Sequence, residues 1–264
     1  MKTPVILTAV GSASSQSASA YRAIHEGVQS LLTDVPLFLA FAPRTGHRDT
    51  PAASPSVPLS VLEQLASLAA REARQAIIQP LQLLPGKEFH MLRRAFRQSP
   101  IPVHIGSPLL ASPGDYSEFS EALAPLIEGR PDQAILLIGH GTHHPIWIAY
   151  HAIERFLRKR FGEHIWVGVI EKDPDSAALP GEIRAAGWDK VRIIPLLLTT
   201  GMHFQRDITG GSPESWRSRL EILGIEVECV EHGLGYLPGV VSLFADHIRE
   251  ALAESVAAGR REQR

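Results

Sequence analysis

Cysteine is nearly absent from this chain: one, Cys229, in 264 residues. That excludes an internal disulfide framework and any multi-cysteine metal site. An excess of either charge is also missing. Twenty-six Lys and Arg face 28 Asp and Glu, for a formal charge of -2, without the basic surplus of a nucleic-acid binder. No apolar run reaches the length of a membrane span. The first one, in "MKTPVILTAVGSASS", is short, is followed by no cleavage site, and reads as a strand. The expectation is a cytoplasmic protein with neither nucleic acid nor membrane as a partner. Nucleotide motifs are lacking as well. There is no "GxxxxGK[ST]", and "GSASS" at 11–15 lacks the dinucleotide-binding glycine pattern, so no nucleotide cofactor is expected. The absence of a "GxSxG" elbow argues against a serine hydrolase. "GHGTHH" has glycine where a histidine phosphatase would carry its arginine.

What the chain does have is apolar residue and histidine. With 44% hydrophobic residues it can build one large core or two smaller ones. Apolar strand patterns recur at 4–10, 35–41, 75–81, 101–105, 133–139, 165–170, 191–198 and 225–230, with helical patterns between them. The clearest helix starts at Pro145, a residue suited to a first turn. It sets Ile146, Ala149, Tyr150, Ile153, Phe156, Leu157 and Phe161 on one face. Such alternation predicts parallel sheets covered on both faces. Cys229, in "IEVECVEHG", reads as an inert thiol in a buried strand.

The halves resemble each other. "IIQPLQLLPGKEF" ends at Phe89 and "RIIPLLLTTGMHF" at Phe204; Pro80 precedes Gly86 by six residues, as Pro195 precedes Gly201. Glu88 falls where His203 falls. "EGRPD" at 128–132 forms the natural joint, giving an N-terminal lobe over 1–130 and a C-terminal lobe over 131–264. The expected architecture is two similar, flavodoxin-like α/β lobes with a cleft between them. Eight strand–helix units also fit a (β/α)8 barrel, which stands as the alternative. In both, the loops after the strands gather where such folds place their sites.

Those loops hold His140 after the fifth strand, Glu171 after the sixth and His203 after the seventh. The separations, 140 to 171 and 171 to 203, are 31 and 32 residues, close to one strand–helix unit each. Two imidazoles and a carboxylate suit a divalent first-row ion. Against this stands the simpler reading, in which each is a packed or solvated residue. Gly139, Gly141 and Gly201 would let a flat ligand approach the backbone. His143 and His144 read as a helix-start pair, and Asp207 as a residue that caps or orients its loop.

"GHGTHHPIWIAY", "VGVIEKDP" and "IIPLLLTTGMHFQRDITGGSPESWRSRLEILGIEVECVEHGLG" resemble the anaerobic cobalt chelatases that metallate sirohydrochlorin, the CbiK-type class II chelatases. The resemblance is strongest over 133–250 and continues through "AFAPRTG" and "QPLQLLPGKEF". It implies a two-lobed chelatase fold and insertion of Co2+ into the tetrapyrrole sirohydrochlorin without ATP, with iron and nickel as other ions. A homo-oligomer is compatible with it. It implies that His140, Glu171 and His203 hold the incoming metal; a neutral imidazole also suits a base near pH 7, a role assigned to His203 on its glycine-flanked loop, with His140 and Glu171 as ligands. By the repeat, Glu88 would take a second proton or orient the macrocycle; otherwise it is a surface carboxylate. Arg44, Arg48 and Arg206, on rim loops, would meet the substrate's carboxylates. The segments "AVGSASS" and "APRTGHRDTPAASPSVP" depart from the family's usual form, on the side that should face the macrocycle. A carrier on the same scaffold, binding without turnover, is the competing reading. A barrel metallohydrolase using these three ligands is a third, and it lacks the further ligands such enzymes recruit.

Overall fold

The computed structural model describes residues 2–10, 15–42 and 60–262. Among them, strands and helices alternate along the chain. The first series is β1 (Val5–Val10), α1 (Ser15–Leu31), β2 (Leu37–Ala42), α2 (Val61–Ala70), β3 (Ala76–Pro80), α3 (Lys87–Ala95), β4 (Val103–Ile105) and α4 (Pro113–Ile127). The second is β5 (Ala134–Gly139), α5 (Ile148–Phe161), β6 (Ile165–Val169), α6 (Leu179–Ala185), β7 (Lys190–Pro195), α7 (Trp216–Glu221), β8 (Glu226–Cys229) and α8 (Pro238–Glu262). All eight expected strands form. β7 ends at Pro195, short of residue 198, although Leu196 still donates to the Ile138 carbonyl.

The strands pair in parallel in two open four-stranded sheets, ordered β2-β1-β3-β4 and β6-β5-β7-β8. The closed-barrel alternative is therefore set aside: among the described residues β4 does not pair with β5. The two sheets share their strand order and several equivalent bonds. Thr8 lies opposite Pro80 as Ile138 lies opposite Pro195. Leu81 donates to the Thr8 carbonyl at 2.7 Å, and Leu196 to that of Ile138 at 2.8 Å. Leu109 and Leu110 donate to Gln82 and Leu83, as Leu234 and Gly235 do to Leu197 and Leu198.

Packing divides the chain into Met1–Ala13, Tyr21–Ala111 and Val241–Arg264 on one side, and Ser14–Ala20 with Ser112–Val240 on the other. This is not the split at 130 that the joint suggests, because the last helix of each half leaves its own sheet. α4 joins α5: Arg160 holds Glu121 at 2.7 Å and Glu128 at 2.8 Å, and Tyr116 meets Phe156. α8 returns to the first unit, where Ser255 accepts from Gln75 and Arg249 donates to the Leu31 carbonyl.

Each unit has its own core. In the first, Ile6, Ala40 and Ile78 pack against Val61, Leu65 and Leu68 of α2 and Leu92 of α3. In the second, Leu136, Ile138 and Ile193 pack against Ile183, Phe204, Trp216 and Leu220. Every residue of β5 is buried, as a continuous apolar strand covered on both faces must be. Gly168 in β6 leaves room for Trp216, whose ring would stand 2.8 Å from an added β-carbon.

Candidate metal centre

β5 is central in the second sheet, and its neighbours are β6 and β7. Connections leave β5 and β7 toward opposite ends of the sheet order, which makes their C-terminal edge the crevice where open α/β sheets bind ligands. His140, Glu171 and His203 all follow strands at this edge. Beyond β5 the pairing continues: Ile170 donates to the Gly139 carbonyl at 2.8 Å, and Glu171 to that of His140 at 3.2 Å. This brings His140 Nδ1 within 3.6 Å of Glu171 Oε1. The His140 and His203 rings meet edge to face, centroids 4.7 Å apart. The three side chains are all part-exposed, at 40%, 43% and 44%.

As they stand, no group of three or more His, Cys, Asp or Glu among the described residues is arranged to hold a metal ion. Two local ties hold these side chains in place. The Lys172 ammonium sits 2.5 Å from Glu171 Oε1 and holds its carboxyl below the usual carboxylate range, against partial burial. The His203 ring is turned to Asp207, Nδ1 to Oδ2 at 2.8 Å.

The glycines beside His140 serve the protein itself. A β-carbon on Gly139 would stand 2.4 Å from the Tyr150 ring. Gly141 has φ +86, donates its N–H to the Tyr150 hydroxyl at 3.0 Å, and lies against the Glu171 carbonyl. The expectation that these two glycines admit a flat ligand is corrected: their space is filled by Tyr150 and Glu171. Gly201 accepts from Gln205 at 3.2 Å, at the start of the turn bearing His203.

His144 does cap the helix start, accepting from the Ile146 N–H at 3.2 Å ahead of Pro145–Trp147 and α5. His143 does not join it; it reaches across to Asp173 at 2.9 Å. On the helix that follows, Ala149, Tyr150, Ile153 and Leu157 are buried as the spacing predicts. Glu88 is exposed in the first turn of α3, the second residue after the Gly86 cap. Arg206 lies by the site, yet its Nε and one Nη bind Asp207 at 2.7 and 3.0 Å. Arg44 and Arg48 fall outside the described residues. Sequence reading missed Lys172, the hydroxyl contact of Tyr150 and the partner of Asp207. Only the last left a signal, the four-residue spacing of His203 and Asp207.

Comparison with known proteins supplies the context. The family model described as cobalt chelatase (CbiK) matches residues 4–253. The sirohydrochlorin cobaltochelatase CbiKC of Nitratidesulfovibrio vulgaris is 32% identical over 259 residues, covering 96% of this chain and 91% of that protein. The sirohydrochlorin cobaltochelatase of Salmonella typhimurium is 29% identical over 204 residues, covering 74% and 75%. SirB from Bacillus subtilis with Fe3+ shares the fold, at a TM-score of 0.69 and 18% identity over 97% of this chain and 98% of that one. The chain belongs to the cobalt chelatase (CbiK) family.

Proposed function

We propose that this chain inserts Co2+ into sirohydrochlorin without a nucleotide, with His140, Glu171 and His203 receiving the ion. The observation that supports this most directly is the meeting of those three side chains at one sheet edge in a member of the family. Two N-terminal ends of the reading rest on chemistry alone: Glu88 as acceptor of a second proton, and Arg44 as a partner for substrate carboxylates.

Metal insertion requires the ion to shed water and two pyrrole N–H protons to leave. Two imidazoles and a carboxylate replace water ligands while keeping a borderline-hard ion exchangeable. Glu171 supplies negative charge, and Lys172 neutralises it until the ion arrives. His203 has one lone pair left once its Nδ1 faces Asp207. It therefore acts as ligand and base in succession. Nε2 holds the ion, gives it up to the pyrrole nitrogens, and then accepts a pyrrole proton. A neutral imidazole, with a pKa of about 6.5 in isolation, suits that step near neutral pH.

The test is anaerobic. Protein, sirohydrochlorin and Co2+ are mixed and the visible spectrum is followed against a protein-free control. Many turnovers in wild type and few in a folded His203→Ala variant are expected. A one-to-one spectral change without turnover would replace this reading with that of a carrier.

A further inference from the structure

The turn after His203 has an unusual form. Residues Phe204–Ile208 are wound as a π-turn, with Thr209 donating back five residues to the Phe204 carbonyl at 3.0 Å. Single π-turns of this kind concentrate at functional sites. Here the winding lays Asp207 beside His203, four residues earlier, and Oδ2 meets Nδ1 at 2.8 Å. Asp207 is itself held. The Arg206 guanidinium takes Oδ1 through Nε at 2.7 Å and Oδ2 through Nη2 at 3.0 Å, a two-pronged grip that fixes the carboxylate plane. Close backbone packing ends the turn: a β-carbon on Gly210 would come 2.3 Å from the Arg206 carbonyl oxygen.

We infer that Asp207, clamped by Arg206, is a positioning residue that fixes His203 as the Nδ1–H tautomer and aims Nε2 at the incoming metal. This rests on the reading of His203 as a metal ligand. The physical argument is specific. A carboxylate only accepts, so Nδ1 must carry the proton in this bond, and the ring's lone pair is then confined to Nε2. Partners of this kind orient ligand histidines and raise their basicity; their loss costs about 10- to 100-fold in metal affinity or activity. The same arrangement gives Arg206 a task other than binding substrate. Its charge keeps Asp207 ionised, and its planar fork prevents the carboxylate from rotating away from the ring.

The proposal is tested on the full-length protein with Co2+ alone and by long-range 1H–15N correlation of the histidine rings. Wild-type His203 is expected as the Nδ1–H form near neutral pH. Asp207→Asn can present an amide N–H to Nδ1, so it should move the proton to Nε2 and weaken Co2+ binding about 10- to 100-fold. Asp207→Glu, which keeps a carboxylate, should recover more affinity than Asp207→Ala. A residue that merely braced the turn would leave the tautomer unmoved. Finding Nε2–H in wild type would overturn the proposal. So would Asp207→Asn binding Co2+ like wild type while His203→Ala does not, and the chelatase reading would survive that result. If His203→Ala binds Co2+ as wild type does, the ligand reading fails, and this inference with it. Should Asp207→Asn not fold, the wild-type tautomer and the Asp207→Glu affinity decide.

Discussion

A β-carbon on Gly141 would stand 1.7 Å from the carbonyl oxygen of Glu171. The loops carrying two of the three candidate ligands are thus packed backbone to backbone. Gly141 also has φ +86, where an L side chain is strained by about 1–3 kcal/mol. Gly141→Ala should lose at least that much stability in urea unfolding and should separate His140 from Glu171, so that Co2+ insertion falls with it. Unchanged midpoint and rate would mean that the loops hold their places without this contact.

Tyr150 supports the same loop from below, accepting the buried Gly141 N–H at 3.0 Å. Tyr150→Phe leaves that donor unpaired, at a cost of about 1–3 kcal/mol. A pH signature accompanies it. Burial raises the Tyr150 phenol above its ordinary value near 10, against a smaller lowering by the Gly141 amide. Above that pH the native state keeps a proton that the unfolded chain has lost. Stability is therefore whole below about pH 10 and declines as pH rises beyond it. Tyr116, also raised by burial, adds to the decline. Tyr150→Phe should flatten the curve in part; a curve of unchanged slope would contradict the assignment.

The strands, and the meeting of His140, Glu171 and His203 at one sheet edge, were legible because each rests on a local pattern: an apolar run, and a polar residue where the run ends. The partners were not legible. His143 faces Asp173, 30 residues away, and which of two neighbouring histidines does so depends on how the loops turn. Gly139 and Gly141 advertise missing side chains, but sequence does not say whether a ligand or Tyr150 fills the space. The packing of the last helices was not legible for a related reason. The repeat is a repeat of strands, and nothing in the pattern of α4 or α8 tells which sheet its apolar face will cover.

Lys172 is paired with Glu171 at 2.5 Å, where a divalent ion would place its own charge. In the proposed site, metal binding must displace it. Exposed pairs of this sort are worth about 0.2–1 kcal/mol, so Lys172→Met should tighten Co2+ binding by roughly 1.5- to 5-fold. The tighter hold should also slow delivery to the macrocycle. Calorimetric titration of Co2+ checks the first effect and steady-state insertion the second. Weaker binding in the variant would mean that Lys172 orders the loop more than it competes with the metal.

Cys229 ends β8 in a partly buried position, and burial pushes its thiol up, with Arg217 opposing more weakly. Thiolate is the reactive form. A disulfide reagent near neutral pH should label the native protein far more slowly than the protein in urea. Rapid stoichiometric labelling of the native state would show an accessible, activated thiol instead.

The return of α8 to the first unit gives the last prediction. Phe244 and Ile248 are fully buried, Gly27 faces Val241, and Ser255 and Arg249 bond to Gln75 and Leu31. Burial of each large apolar side chain is worth about 1.5–3 kcal/mol, against a net domain stability of about 5–15 kcal/mol. Residues 1–130 expressed alone therefore lack part of their own core. They should show little cooperative unfolding by circular dichroism. Adding a peptide of 238–262 should restore a transition whose midpoint rises with peptide concentration. A fragment that unfolds cooperatively without the peptide would show that α8 is dispensable to the first sheet, and that the split at 130 describes the folding unit better than the packing does.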